Sequence, residues 1–150
     1  MKSIKLNKKI ILCITIIIVI SVAVYIFMVS KLQSHSLEED SINVARKSIE
    51  QLANEEYTIK LELIDICIDK VETQRIINRY RESELSKRRG WSNKALDNMV
   101  AVKVCYYAEF DHAMTFRDDG YTEQYYYVMT DELTNKRIVA EYSSPYVKNA

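Results

Sequence analysis

Glycine and proline are scarce in this sequence, with two glycines and one proline among 150 residues, against about 7% and 5% in average proteins. Both residue types interrupt helices and strands, so their scarcity predicts long regular elements. The same composition excludes a disordered, low-complexity chain, and no internal repeat is present.

Residue patterns typical of metal and catalytic sites are also missing. The three cysteines are single in sequence and the two histidines lie far apart, so no zinc-ligand spacing exists. There is no nucleophile elbow and no phosphate-binding glycine loop. Asp111, Asp118 and Asp119 do not match a calcium-binding EF-hand loop, and Asp-Asp-Gly is typical of a turn. We therefore expect no metal, no cofactor and no enzymatic activity.

Charged residues are absent from positions 10–29, and about 20 apolar residues suffice for a helix to cross the hydrocarbon core of a membrane. Lys2, Lys5, Lys8 and Lys9 precede this run without an acidic residue, and cationic flanks stay in the cytoplasm. The pattern predicts a cytoplasmic basic tail at 1–9 and a transmembrane signal-anchor helix at 10–29, in contact with membrane lipid. The protein would then cross the cell membrane once, with its C-terminus outside.

A cleaved signal peptide is the alternative, but its apolar core is usually about 7 to 15 residues long. Ser21-Val22-Ala23 offers a small-x-small site, yet the chain stays apolar through Val29. A lipoprotein needs a small residue before its acylated cysteine, whereas Leu12 precedes Cys13. These observations favour a retained anchor.

Net charge argues against nucleic acid as a partner. Removing the four N-terminal lysines from the 21 cationic residues leaves 17, against 21 acidic residues. Binding phosphates requires a cationic face, which an acidic exterior domain does not supply.

Along the remaining chain, segments with the apolar spacing of helices alternate with segments that have the apolar spacing of strands. Residues 30–36 form a polar connector, and Ser36 with Glu39 predicts a helix start near Leu37. This helix has one apolar face formed by Ile42, Ala45, Ile49, Leu52 and Ala53. In the next segment, 57–68, apolar and polar residues alternate as in a strand. After Leu63 the apolar positions shift by one residue, which indicates a β-bulge.

The second half of the domain reads as helices followed by strands. Asp69 with Glu72 predicts the start of a helix that ends at Gly90, and Ser92 predicts the cap of a short helix. Strands are expected from Met99 to Phe110, over 123–130 with both sides apolar, and over 137–142 before Pro145. This order predicts an α+β domain over 37–146, with helices on one face of an antiparallel sheet and a tail at 147–150.

Three segments, NMVAVKVCYYAEFDH, DGYTEQYYYVMTD and RIVAEYSSP, together with Gly90-Trp91 and Asp111-His112, carry a resemblance over residues 55–146. The sequence resembles a family of uncharacterised exported or membrane-anchored domains of Gram-positive bacteria, related to the nuclear-transport-factor-2-like, cystatin-like fold. The resemblance implies a bent antiparallel sheet wrapped around helices, often with a cavity. That superfamily includes enzymes, binding modules and assembly domains, so fold alone does not select a function.

Four residues are candidates for ligand or partner contact. His112 lies in the longest loop between strands and suits acid-base chemistry, although bracing of the loop is the simpler interpretation. Tyr107 and Tyr126 represent a tyrosine-rich strand set that either packs the sheet or forms a polar-aromatic surface. Trp91 is either a core residue at a helix junction or a platform for a ligand.

Cys67 and Cys105 lie in two predicted strands outside the membrane. A cross-strand disulfide is one interpretation if the strands are neighbours, and two unpaired thiols is the other.

Our hypothesis from the sequence is an uncharacterised single-pass, membrane-anchored protein with a non-catalytic extracytoplasmic domain that binds a protein partner, such as an envelope protein, or a small ligand. One alternative is a small-ligand sensor or enzyme that uses a pocket in the bent sheet. Another is a structural subunit of an envelope complex.

Overall fold

The computed structural model describes residues 8–148, so positions 1–7 of the predicted basic tail and 149–150 of the predicted C-terminal tail lie outside the described residues. The elements are α1 (Lys8–Ala53), β1 (Thr58–Ile68), α2 (Lys70–Arg81), α3 (Glu84–Arg89), α4 (Asn93–Asp97), β2 (Val100–Phe110), β3 (Gly120–Asp131), β4 (Lys136–Tyr142) and β5 (Tyr146–Lys148). The chain divides into two compact units, one ending at Ser36 and the other beginning at Leu37.

The first unit is an apolar helical segment whose side chains are exposed. Ile17 and Phe27 are 62% and 68% exposed. The hydroxyl groups of Ser21 and Ser30 are satisfied within the helix, because each donates to the carbonyl oxygen four residues earlier, at 2.9 and 2.8 Å. Within residues 8–148, α1 is the one helix long and apolar enough to cross a membrane. Exposed apolar side chains on a helix with satisfied backbone groups suit a lipid environment.

The predicted connector at 30–36 is helical in the structure, so the prediction of a helix start at Leu37 is wrong. Ser36 lies inside α1 instead of capping a new helix. The reason is that residues 30–36 contain no glycine or proline, and a capping side chain alone does not end a helix that the backbone is able to continue.

The second unit contains an open antiparallel sheet with the strand order β1-β2-β3-β4, and β5 pairs with β3. β3 is a central strand, as its apolar character on both sides predicts, because β2 borders it on one side and β4 and β5 on the other. The sequence did not predict β5, whose residues Tyr146–Lys148 pair with Tyr121–Glu123. The α+β fold class is confirmed.

The predicted bulge in β1 is confirmed. The pairing of β1 with β2 shifts between Leu63 and Asp65, and Ile64 is 52% exposed. The extra residue returns Ile66 and Ile68 to the face that holds Leu63, where they pack against the core. A one-residue insertion is what restores the inward phase after the slip in the sequence.

Helices pack on both faces of the sheet, which corrects the expectation that they cover one face. On the first face, α1 residues Ala45 and Ile49 pack with Val102 and Tyr126; we call it the α1 face. On the second, α2 and α4 pack around Tyr127; we call it the α2 face. Neighbouring residues of a strand point to opposite faces, so a strand that is apolar on both sides requires two covers.

The helix-end signals are confirmed in three places. Asp69 caps α2 by accepting from the backbone N–H of Glu72 at 2.9 Å, and Ser92 caps α4. Gly90 ends α3 with a left-handed φ of 68°. The predicted long second helix is nevertheless two helices, because Ser83 caps a new one after Arg81.

Candidate functional site

The loop between β2 and β3, residues 111–119, is held at both ends by hydrogen bonds. The Asp111 backbone N–H donates to the carbonyl of Tyr57 at 2.8 Å, and the carbonyl of Asp111 accepts from Met114 and Thr115. At the other end, a carboxylate oxygen of Asp119 accepts from the backbone N–H of Phe110 at 2.8 Å. These bonds fix the base of the loop to the ends of β1 and β2.

His112 belongs to this bracing network. Its Nε2 lies 3.1 Å from the second carboxylate oxygen of Asp119, and both side chains are exposed. The backbone N–H of Phe110, followed by His112, lowers the pKa of Asp119 below its ordinary value. His112 does not line the cleft that Arg117 of the same loop lines. Its geometry therefore supports the interpretation that it braces the loop.

Arg117, in the same loop, projects into an open cleft between the loop, the sheet and the C-terminal part of α1. The guanidinium carbon lies 5.9 Å from the ring centroid of Tyr57 and 5.8 Å from that of Phe110. Both distances are within the range of cation–π attraction. We call the whole region the Arg117 cleft; it has two compartments, and Arg117 and Gln124 line both.

The first compartment, of about 310 Å³, is polar. Ser48, Gln51 and Glu55 line it from the α1 side, and Tyr126 and Tyr142 line it from the sheet. The two tyrosine rings meet edge to face with centroids 5.0 Å apart. Burial raises the pKa of Tyr126, so its hydroxyl stays protonated and is a potential hydrogen-bond donor to a ligand.

The second compartment, of about 490 Å³, is mainly apolar. Phe110, Phe116 and Pro145 contribute to its walls, with Thr122 beside them. Phe116 is fully exposed to solvent. Exposing a phenylalanine side chain to water at the edge of an apolar concavity is energetically unfavourable. Aromatic and arginine side chains supply much of the binding energy at protein interfaces.

The charge of Arg117 is not neutralised by a neighbour. Among the residues that the structure describes, no carboxylate lies within ion-pair distance of its guanidinium. Glu55 and Asp118 also line the cleft, one in each compartment. The cleft therefore combines one unpaired cation, aromatic ring faces and polar acceptors.

The four residues suggested by the sequence do not converge on one site. Tyr126 lines the Arg117 cleft on the α1 face, whereas Tyr107 lies on the opposite face of the sheet. The Tyr107 hydroxyl donates to Glu109 at 2.8 Å, and its ring contacts Tyr121 at 5.1 Å. The sequence analysis therefore grouped Tyr107 with Tyr126, although the alternation of side chains along the strands places them on opposite faces of the sheet.

Trp91 occupies the junction between α3 and α4. Its ring lies edge to face with Tyr80, with centroids 5.2 Å apart, and the Arg89 guanidinium lies 5.0 Å from it. Trp91 packs against the core on the α2 face. These contacts support the packing interpretation of this residue.

Cys67 and Cys105 lie on neighbouring strands and the same face, but both thiols are free. Cys67 is opposite Lys103 and Cys105 is opposite Asp65, so the two cysteines are diagonal rather than directly paired. Diagonal neighbours in antiparallel strands are about 7 to 8 Å apart, which is longer than a disulfide accommodates. Burial raises the pKa of both thiols.

Sequence reasoning selected the loop that contains Arg117 but did not select Arg117 itself. The signal was present, because Phe116 and Arg117 form an apolar-cationic pair in an otherwise acidic loop. What the sequence lacked was the position of Tyr57 and Phe110 beneath the guanidinium, since these rings come from β2 and from the residue preceding β1.

Comparisons of the chain with protein-family models, with curated proteins and with solved structures found no match.

Proposed function

We propose that this chain is a single-pass membrane protein whose domain from Leu37 onward lies outside the cell and binds an envelope partner without catalysing a reaction. The observation that carries the proposal is the Arg117 cleft, in which an exposed cation without an ion-pair partner lies over two aromatic rings. Such arginine and aromatic groupings are typical of binding hot spots.

The filled space beneath α1 favours a binding surface over an enclosed reaction site. Val102, Val104 and Tyr106 are buried against residues of α1, and the Arg117 cleft is an open feature beyond this core. Neither described histidine lines the cleft, so no imidazole is positioned there as a general base.

The anchoring part of the proposal rests on α1 and the lysines that precede its apolar run. Exposed apolar side chains from Ile14 to Val29 suit lipid, and four lysines without acidic neighbours favour a cytoplasmic N-terminus. For the domain we propose a cystatin-like, nuclear-transport-factor-2-like fold of the Gram-positive family that the sequence resembles. A helix followed by a long antiparallel sheet supports that assignment.

Crosslinking of the full-length protein in its native membrane, followed by affinity capture, tests the proposal. We expect one stoichiometric partner that is lost with Arg117→Gln. Arg88→Gln is the matched control, because Arg88 is also an exposed arginine but lies in α3, outside the cleft. Recovery of the protein alone under several growth conditions, or equal capture by both variants, would contradict the proposal.

A further inference from the structure

The Arg117 guanidinium keeps its hydrogen-bonding capacity. Cation–π contacts with Tyr57 and Phe110 use the charge of the group, whereas its N–H donors lie in the guanidinium plane. In the described part of the chain, the only hydrogen bond assigned to Arg117 comes from its backbone N–H, which donates to Thr115. The side chain is therefore a fork of donors whose geometry fits a carboxylate.

The charges around the cleft limit an anionic ligand of Arg117 to a small anion. Arg117 is the one cation among the described residues that line the two compartments, and Glu55 and Asp118 are both acidic. A polyanion would meet these carboxylates and be repelled. A single carboxylate that reaches only Arg117 avoids that repulsion, and Glu55 remains available to accept N–H groups from the ligand.

The two compartments meet where Arg117 and Gln124 line both of them. A peptide C-terminus matches this layout, because its carboxylate and its last side chain branch from the same carbon atom. The side chain would enter the apolar compartment beside Phe110 and Phe116, and the preceding backbone would lie in the polar one. Gln124 already donates to the carbonyl of Ser143 at 2.8 Å, which leaves its side-chain oxygen to accept a backbone N–H. An internal aspartate or glutamate places its carboxylate further from the backbone and has no adjacent apolar side chain on that carbon.

We propose that the Arg117 cleft binds the free C-terminal carboxylate of a peptide chain that ends in a large apolar residue. This inference rests on the proposed function and specifies its ligand. Arg117 binds the carboxylate, the apolar compartment accepts the last side chain, and the polar compartment accepts the preceding backbone.

The test uses full-length protein in detergent micelles and a dye-labelled hexapeptide, Gly-Ser-Gly-Ser-Ala-Phe, followed by fluorescence anisotropy. The same peptide with a C-terminal amide lacks the negative charge and carries an NH2 donor in place of one acceptor oxygen. We expect the free acid to bind at least about tenfold more tightly than the amide, the range given by one charge-assisted hydrogen-bonded contact. Arg117→Gln should abolish this difference, and Arg88→Gln should preserve it. A thermal melt of each variant establishes that both remain folded.

Two further probes separate the apolar and peptide contributions. A peptide ending in serine should bind more weakly than the one ending in phenylalanine, and Phe116→Ala should reduce that preference. N-acetylphenylalanine supplies the carboxylate, the ring and one amide group without the five preceding residues. Its binding as tightly as the hexapeptide would overturn the peptide assignment in favour of a small carboxylate.

Equal binding of acid and amide by the wild-type protein would also overturn the inference. So would the absence of binding by every probe at millimolar concentration. If Arg117-dependent crosslinking to a partner persists in that case, the proposed function stands and only the ligand class is wrong. If the peptide binds but no partner is captured, the inference stands without the stable envelope complex.

Discussion

The Nη2 atom of Arg137 donates a hydrogen bond to the hydroxyl oxygen of Ser41 at 2.6 Å, across 96 positions of the chain. The same guanidinium donates to the carbonyl oxygens of Asn98 at 2.6 Å and Val128 at 3.2 Å. Burial lowers the pKa of Arg137 to about 10. A cation whose hydrogen-bond acceptors are neutral oxygen atoms thus joins α1 to β4 and to the segment that precedes β2.

Removal of this guanidinium should destabilise the second unit. Arg137→Ala removes one hydrogen-bond donor from the buried hydroxyl of Ser41 and from two carbonyls, so we expect the free energy of unfolding to fall by about 3 kcal/mol. Urea denaturation of the full-length protein in detergent micelles measures the change. Lys136→Ala, at the adjacent exposed position, should stay within about 0.5 kcal/mol of wild type. An unchanged denaturation midpoint for Arg137→Ala would show that the bonds contribute nothing.

Acid should weaken the α2 face. The backbone N–H of Glu72 lowers the pKa of Asp69, and Arg75 lowers the pKa of Glu72. Carboxylates that are more acidic when folded stabilise the protein above their ordinary pKa, and that contribution is lost as pH falls through the lowered values. We expect Asp69→Asn to reduce stability at neutral pH and to flatten the decline between about pH 5 and pH 3.

Denaturation midpoints measured across that pH range test the acid prediction. Glu62→Gln is the control, since Glu62 is exposed and lies outside this network. Parallel pH profiles for Asp69→Asn and wild type would mean that Asp69 has the same pKa in the folded and unfolded chains.

Gly90 should tolerate asparagine better than alanine. Its φ of 68° is left-handed, and an added Cβ would meet nothing within 4 Å, so the cost of substitution comes from the backbone alone. We expect Gly90→Ala to lower the free energy of unfolding by about 1 kcal/mol and Gly90→Asn by less, because asparagine adopts this conformation more readily. Thermal denaturation compares the two variants. A larger loss for asparagine would show that side-chain bulk, and not φ, limits this position.

The proposed orientation places the exposed, free thiol of Cys67 outside the cell. A membrane-impermeant maleimide should label it in intact protoplasts, and Cys67→Ser should remove most of the signal. Because burial raises the pKa of this thiol, labelling is best done near pH 8, where more thiolate is present. The reference is Ser3→Cys in a Cys67→Ser, Cys105→Ser background, because Cys105 is also a free and partly exposed thiol. This variant should react only after lysis. The reverse pattern would place the domain in the cytoplasm.

Local signals in the sequence predicted the parts of the fold that depend on near neighbours. The phase slip after Leu63 predicted the bulge, and Asp69, Gly90 and Ser92 predicted helix ends. Each involves contacts within a few residues, where residue type constrains backbone geometry directly. The prediction of a break at 30–36 was wrong, since a cap signal competes with an uninterrupted helix.

The candidate site could be predicted only as a loop. Residues 111–119 were identified by length and by position between strands, but the choice of His112 within it was not the one that the geometry favours. Arg117 became the candidate because Tyr57 and Phe110 place ring faces beneath it. Tyr57 and Arg117 are 60 residues apart in the sequence, so no local pattern encodes their contact.

By itself, the sequence determined the apolar segment, the α+β class, the bulge and most helix caps, because hydrophobic period and backbone preference act over a few residues. The tertiary structure alone decided that helices cover both faces of the sheet, that β5 pairs with β3, and that Tyr107 and Tyr126 lie on opposite faces. The tertiary structure also forms the Arg117 cleft, by bringing together residues of α1, the sheet and the loop at 111–119. These features depend on strand register and on which surfaces meet, and both are set by burial across the whole domain rather than by neighbouring residues.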